Sequence, residues 1–588
     1  MNNIFFYTLF LVFLIPFLSY SNEKNTFAQN DGNSHIKRSD TSSNTKKKSS
    51  NKSAEDKQSY MSTGDVTSDA FNFDTYGSGY IDNRTLTLSW IYSVATFHGK
   101  KGQLSFPLTV EYTGDCSNSA DGIASCWEWG GMSKFNSSTS ELSLSQGGSY
   151  KLEGGSLRYY KLENVDVDLD QNTGQVTITH HDGLKEYLNN LGQMYKITNT
   201  RGDSIYFQWQ SNQLKRIYDD NGSEVTISYP SSNYSAITVT HKDYKGEELE
   251  TNLILDVATN RLSRILLPDA ESLILFTYQQ LEGSQVHLSQ VDLPGGATHS
   301  FSYQKLAMPI NAPAAYTYGI SQHTISPGYG QSSLIRTYKP VGSNPSTANN
   351  YLGANLTYIG DKDVLYEKGH GYKYGTEVSD GRTKTNYTFT SLHLVEKVIT
   401  SNQSGQLLSE VSYTYPVQST DTIFDVPAFY NFPIQTDTTF YNIVDSLANM
   451  PLSLKELDNI SRTSSTYSSH NDAGLPLEHT DVNGVTQVST YCDTVSPEPG
   501  CPSSGTGFIQ HVSKIVTYPK AITGETSPLP LVKKYAYKEY ESLLKSNGFP
   551  DVAVIDYTLD GYIENGKEVY TKKIDYKYLI YPVNLGHF

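Results

Sequence analysis

The stretch LKRIYDDNGSEVTISY (Leu214–Tyr229) decides the fold. An apolar residue opens it, Ile217 follows three positions later, and a turn comes next. Val225, Ile227 and Tyr229 then alternate with Thr226 and Ser228. Side chains alternate between the two faces of a strand, so those three share one face. Asp219-Asp220-Asn221-Gly222 supplies the turn, because Asn and Gly accept positive φ at little cost. The segment reads as a β-hairpin closed by an aromatic.

Three more segments follow this template: MYKITNTRGDSIYFQW (Met194–Trp209), LSRILLPDAESLILFTY (Leu262–Tyr278) and LSQVDLPGGATHSFSY (Leu288–Tyr303). Gly lies seven residues before the aromatic in the pairs Gly202 and Trp209, Gly222 and Tyr229, and Gly296 and Tyr303. The Leu262 unit carries Ala270 at the Gly position and one extra residue. Gly484 and Tyr491, in DVNGVTQVSTY, repeat the spacing far downstream. One hairpin cannot bury its apolar face alone. A recurring hairpin therefore predicts an all-β chain with units stacked side by side in a long antiparallel sheet. The competing reading is an ordinary β-sandwich meander with coincidental spacing.

Composition agrees with strands. Of 588 residues, 45 are Tyr against 22 Phe, and Tyr suits a half-buried strand with its apolar ring and wet hydroxyl. Helical periodicity is nearly absent; YKEYESLLK, about Tyr537 to Lys545 with Gly548 beyond it, is the one helix expected. Net charge is −16. Asn22 to Lys57 holds eight Lys/Arg and five Asp/Glu, a local +3 that leaves −19 elsewhere. An acidic body argues against nucleic acid as the partner.

Ile4–Leu18 is an apolar run of secretory length, too short for a comfortable membrane span, with Ser19-Tyr20-Ser21 as a cleavage site and Thr26-Phe27-Ala28 as a second option. An uncleaved anchor is the alternative, and the protein is expected to be secreted or at the cell surface either way. The expected order is a signal peptide over 1–21, a disordered linker over 22–70, a β-rich entry region over 71–164, the repeat tract over 165–305, a loop-rich insertion over 306–375, and further antiparallel β with degenerate repeats over 376–588. No capping element is recognisable at the end, so one part of a larger assembly or a truncated reading frame is expected.

Cys116 and Cys126 lie ten apart, and Cys492 and Cys501 nine apart. Four cysteines allow three pairings; export and local spacing favour one disulfide within each pair. Thiolate spacings of two to four residues, which zinc needs, are missing, and no cofactor or metal is expected.

The entry region and first repeats resemble the YD-repeat (Rhs) family, which includes bacterial polymorphic toxins and the B and C components of insecticidal toxin complexes. The resemblance rests on the hairpin units and on GQLSFPLTVEY, LSLSQGGSYKLEGG and GQVTITHHDGLKEYL ahead of them, across about Phe71–Tyr303. It implies a curved, shell-like sheet, with a toxin cargo or a companion shell protein as partner. The family's self-cleavage site is built on Asp-Pro-x-Gly, and this sequence has no Asp-Pro dipeptide.

Other signals are weaker. Arg201-Gly202-Asp203 spells an adhesion tripeptide, but Gly202 is also the repeat's turn glycine. Asp166, Asp168 and Asp170 resemble the start of a calcium loop, with Gln171 and Thr177 where Gly and Glu belong. His180 and His181 point to opposite faces of a strand and cannot grip one metal together. Trp90, Trp127, Trp129 and Trp209 could stack on sugars or pack across strands. No Gly-x-Ser-x-Gly elbow, His-Glu-x-x-His or phosphate loop is present. The leading expectation is a secreted, non-enzymatic YD-repeat shell or scaffold linked to toxin encapsulation, delivery or cell-surface interaction. A surface adhesin or binder of cell-surface glycan is the alternative, and a β-rich carbohydrate-active enzyme the third.

Overall fold

The computed structural model describes residues 78–99, 104–114, 123–199, 202–220, 222–229, 236–242, 246–269, 271–282, 285–341, 348–369, 371–418, 421–441, 461–492, 499–502, 511–521, 527–540 and 552–577. The expected signal peptide, linker and Cys116 lie outside them.

Strand follows strand, each paired antiparallel with its neighbour in sequence. They form one sheet of 27 strands, from Val165–Leu169 to Lys567–Asp575. The two terminal strands pair on one side only among the described residues, so the sheet is open. Their exposed residues include Asp166 and Asp168 at one edge and Lys567, Lys572 and Lys573 at the other. Charges there discourage indiscriminate edge-to-edge pairing.

Alternation builds the core of the first half. Ile217 sits opposite Phe207 on one neighbour and Val225 on the other. Ile265 sits likewise between Leu253 and Ile274. All six are buried, each contributing about 1.5–3 kcal/mol.

A four-stranded sheet, Ser78–Ile81, Leu88–His98, Ser105–Tyr112 and Trp127–Gly130, covers this apolar face. Phe106 meets Phe207 edge-on at 4.8 Å, and Trp127 meets Phe276 at 4.7 Å. A second small sheet, spanning Lys134–Asn136 to Ser156–Leu157, joins the long one where the Phe135 N–H donates to the Gly192 carbonyl at 2.9 Å. A Cβ at Gly192 would lie 1.7 Å from the Phe135 oxygen, so this approach excludes a side chain.

The second half differs. Strands Thr383–Phe389, Val395–Asn402, Leu407–Thr414 and Gln435–Tyr441 are half-buried on both faces, with no covering sheet among the described residues. Hydroxyls tie neighbouring strands here: Thr439 to Thr463 at 2.8 Å and Ser465 to Asp437 at 2.6 Å join Gln435–Tyr441 to Ser461–His470, and Thr480 to Thr486 at 2.8 Å joins Pro476–Thr480 to Thr486–Tyr491.

Two expectations are corrected. The segment 306–375 is not all loop: Tyr316–Ser326 and Leu334–Pro340 are strands of the long sheet, and Val364–Lys368 is a short helix. Tyr537 to Tyr540 is not helical but ends the strand Leu531–Tyr540, paired with Val552–Glu564. Ladder pairing outweighs local helix propensity there; residues 541–545 lie outside the described ones. No helix among the described residues is long and apolar enough to cross a membrane.

Candidate functional site

The aromatic that closes each unit has a specific job. The Trp209 indole N–H donates to the Met194 carbonyl at 2.8 Å. Tyr303 donates to Leu288 at 2.6 Å, and Tyr491 to Pro476 at 3.0 Å. Donor and acceptor are 15 residues apart each time, and the acceptor opens the donor's own unit in the first two. In the Leu262 unit, with its extra residue, Tyr278 donates to Leu262 across 16 residues at 2.6 Å. Tyr537 makes the same bond to Val512 at 2.9 Å, a copy not recognised in the sequence.

A register shift falls at each of these aromatics. The accepting carbonyls of Met194, Leu262, Leu288, Pro476 and Val512 each sit at a register shift with the preceding strand. Such a bulge takes a carbonyl out of the regular ladder, and the aromatic that closes the unit, with its polar hydrogen, satisfies it. Phe389 occupies a similar bulge without a donor, and stacks on Tyr374 at 5.1 Å instead. Tyr303→Phe should therefore cost about 1–2 kcal/mol by leaving the Leu288 carbonyl unpaired; urea unfolding at unchanged m-value is the measurement.

The covering sheet engages these same aromatics. Trp129 donates to the Tyr229 hydroxyl at 3.0 Å, and Trp127 to the Tyr278 hydroxyl at 2.7 Å. The Tyr112 hydroxyl takes the Leu288 N–H at 3.0 Å, beside Tyr303. Trp90, Trp127 and Trp129 are fully buried, so of the two readings open for the tryptophans these three pack rather than stack on sugars, and they are the keys that seat one sheet on the other.

Turn residues stand as follows. Gly202, Gly222, Gly296 and Gly484 have φ of 83°, 88°, 86° and 78°, in the left-handed region that glycine tolerates. The Asp203 N–H and carboxylate are both bonded to Asn199, so the Arg-Gly-Asp turn is held internally; Arg201 lies outside the described residues. Asn402-Gln-Ser-Gly405 and Asn471-Asp-Ala-Gly474 repeat this geometry, with the Asn carbonyl taking the Gly N–H. An Asx-x-x-Gly spacing in the sequence would have found them.

His180 is buried and bonded to Glu186 at 2.8 Å, whereas His181 reaches Asp166 at 3.1 Å on the other face. Asp170 takes the Asn172 N–H and the Thr173 hydroxyl at the hairpin turn. Cys492 and Cys501 form a disulfide, and Cys126 is disulfide-bonded.

A second polar cluster was not legible in the sequence. Asp363 caps the short helix, its Oδ1 taking the Leu365 and Tyr366 N–H groups at 2.7 and 3.2 Å. Its Oδ2 lies 2.9 Å from His393 Nε2, and His393 Nδ1 lies 2.8 Å from the Tyr374 hydroxyl. A carboxylate only accepts, so Nε2–H donates to Asp363 and the tyrosine donates to Nδ1. Burial favours this neutral ring, pulling His393 below its ordinary value against the pull of Asp363. The buried Arg84 guanidinium interacts with the Tyr374 hydroxyl from the turn after Ser78–Ile81. Burial pulls Arg84 down, but Tyr374 and Asp82 outweigh it and hold the guanidinium firmly charged.

Aspartate, histidine and a hydroxyl in line resemble a nucleophile relay. Here the hydroxyl belongs to Tyr374, 4% exposed, whose proton burial makes harder to remove. The arrangement suits an anchor: it joins covering sheet, helix and long sheet through one chain of hydrogen bonds.

No family model and no curated protein sequence matches the chain. Among solved structures it is similar to TcdB2-TccC3 at 11% identity and a TM-score of 0.29, over 82% of this chain and 24% of that one. TcdB2-TccC3 without the hypervariable C-terminal region gives 10% and 0.28, over 79% and 24%. The Photorhabdus luminescens Tc holotoxin pore gives 8% and 0.12, over 82% and 32%. The chain spans about a quarter of the first two chains. At these scores the likeness carries no argument about function.

Proposed function

We propose that the chain is an exported, non-enzymatic wall segment of the YD-repeat (Rhs) type, enclosing or presenting a toxin-type cargo together with a companion wall protein. One observation carries this reading: an uninterrupted 27-strand meander whose second half is half-exposed on both faces and whose two edges remain open among the described residues. Such a sheet gains from a neighbour at its edges and a content at its uncovered face. Export rests on the apolar run Ile4–Leu18. Co-expression with the product of the adjacent reading frame tests it. The expected result is a stable complex in which the partner's cargo segment survives trypsin that digests the free partner; a monomer that protects nothing overturns it.

A glycan-binding wall is the second reading. Tyr187, Lys196, Tyr206 and Tyr218 lie opposite one another across four strands, half-exposed on the face away from the core. Tyr206 and Tyr218 stack at 5.3 Å, a platform fit for a sugar ring. A glycan array decides it, and no binding to any glycan sinks it.

A further inference from the structure

Two histidines meet where the covering sheet rests on the long one. His299 stands on Thr298–Ala307 and His323 on the adjacent Tyr316–Ser326, with His299 Nδ1 3.0 Å from His323 Nε2. Both rings are buried. Trp90 of the covering sheet stands edge-on to His299 at 5.1 Å, and His323 stacks on Phe301 at 4.9 Å. Two neutral rings share one hydrogen bond, a donor meeting an acceptor. A first proton places a charge in an aromatic enclosure; a second sets two N–H donors face to face and breaks the bond.

The charges around the pair do not favour a proton. Arg336 stands opposite His323 in the next strand and faces Asp380 in turn. On the covering sheet Tyr112 is the register partner of Trp90, which turns the adjacent Glu111 to the other face. Asp82 and Arg84 belong to the Tyr374 cluster.

We propose that the His299–His323 pair is an acid-sensitive latch, and that its protonation lifts the Trp90 end of the covering sheet off the long sheet. Burial holds His299 down at about 4; burial, then His299 and Arg336, hold His323 at about 3. An exposed ring titrates near ~6.5. The open state therefore binds protons more tightly. The closed state keeps its full advantage above ~6.5 and loses it as pH falls toward about 4. At pH 5 one such ring shifts the balance toward opening about 30-fold.

The other small sheet is anchored differently. Ser145 donates to Glu186 at 2.6 Å, and Glu186 pairs with His180. Burial pushes Glu186 up, but His180, Ser133 and Ser145 outweigh it and hold the carboxylate below its ordinary value. That contribution is present above the ordinary carboxylate range and is lost only as pH falls through a lower value, so this anchor outlasts the latch.

Hydrogen exchange on the full chain at pH 7.5 and 5.0, corrected for intrinsic exchange, tests the proposal. The amides of Leu88–His98 should lose protection about 30-fold or more at pH 5.0, while Gln435–Tyr441 keeps its own. In H299Q/H323Q, which cannot titrate, that loss should vanish. Unchanged protection of Leu88–His98 in the unsubstituted chain overturns the latch whether or not the variant folds. The same acid response in a folded H299Q/H323Q overturns it too.

Discussion

Trp127→Ala should lower the stability of the folded chain by about 4–5 kcal/mol, the cost of removing a large aromatic from a packed core. Trp127 is fully buried between Phe276 at 4.7 Å and Tyr112 at 5.6 Å, the first on the long sheet and the second on the covering one. Its N–H also meets the Tyr278 hydroxyl, which clamps the Leu262 carbonyl. Alanine therefore opens a cavity and loosens the clamp. Trp127→Phe keeps most of the ring but loses the donor, and should cost about 1–2 kcal/mol. Urea unfolding followed by circular dichroism measures both. A loss under about 1.5 kcal/mol for alanine would mean the site collapses freely or that the sheets do not meet there.

This contact shows where sequence reading succeeds. The quoted spacing identifies the hairpins because strand alternation and turn glycines are local properties, and it points to the aromatic that ends each unit. It does not show why the position takes Trp or Tyr. The reason is a carbonyl displaced by a bulge 15 or 16 residues earlier, and bulges leave no fixed spacing of their own. Trp127 and Trp129, two apart on a strand, are legible as sharing one face. Whether that face meets sugar, water or another sheet is a tertiary fact.

Tyr316–Ser326 and Leu531–Tyr540 depart from expectation for the same reason. Nearby Pro and Gly favour a loop around Tyr316–Ser326, and Lys, Glu and Leu favour a helix from Tyr537 onward. Ladders with neighbours on both sides settle each segment as a strand. The Asp363 cluster was illegible for a plainer reason. Arg84 stands nearly three hundred residues ahead of its partners, and no spacing rule joins them.

Asp363→Ala should cost about 4 kcal/mol, because one side chain meets three separate demands. It caps two helix N–H groups, a function worth about 1 kcal/mol. It accepts the His393 Nε2–H, and a buried donor left unpaired costs about 1–3 kcal/mol. It is also the carboxylate that faces this ring in a cluster holding the charged Arg84. Asp363→Asn keeps an oxygen for the cap and offers an N–H₂ to the ring. His393 can then switch tautomer and donate from Nδ1 to Tyr374, so the loss should fall to about 2 kcal/mol. Tyr374→Phe removes the other end of the relay. Both substitutions act through His393, so the double variant should differ from additivity by about 1 kcal/mol or more. Unfolding free energies of the four proteins in that cycle are the measurement. Additivity within about 0.3 kcal/mol would show that the aspartate and the tyrosine act separately, and that the aligned side chains are neighbours rather than one anchor.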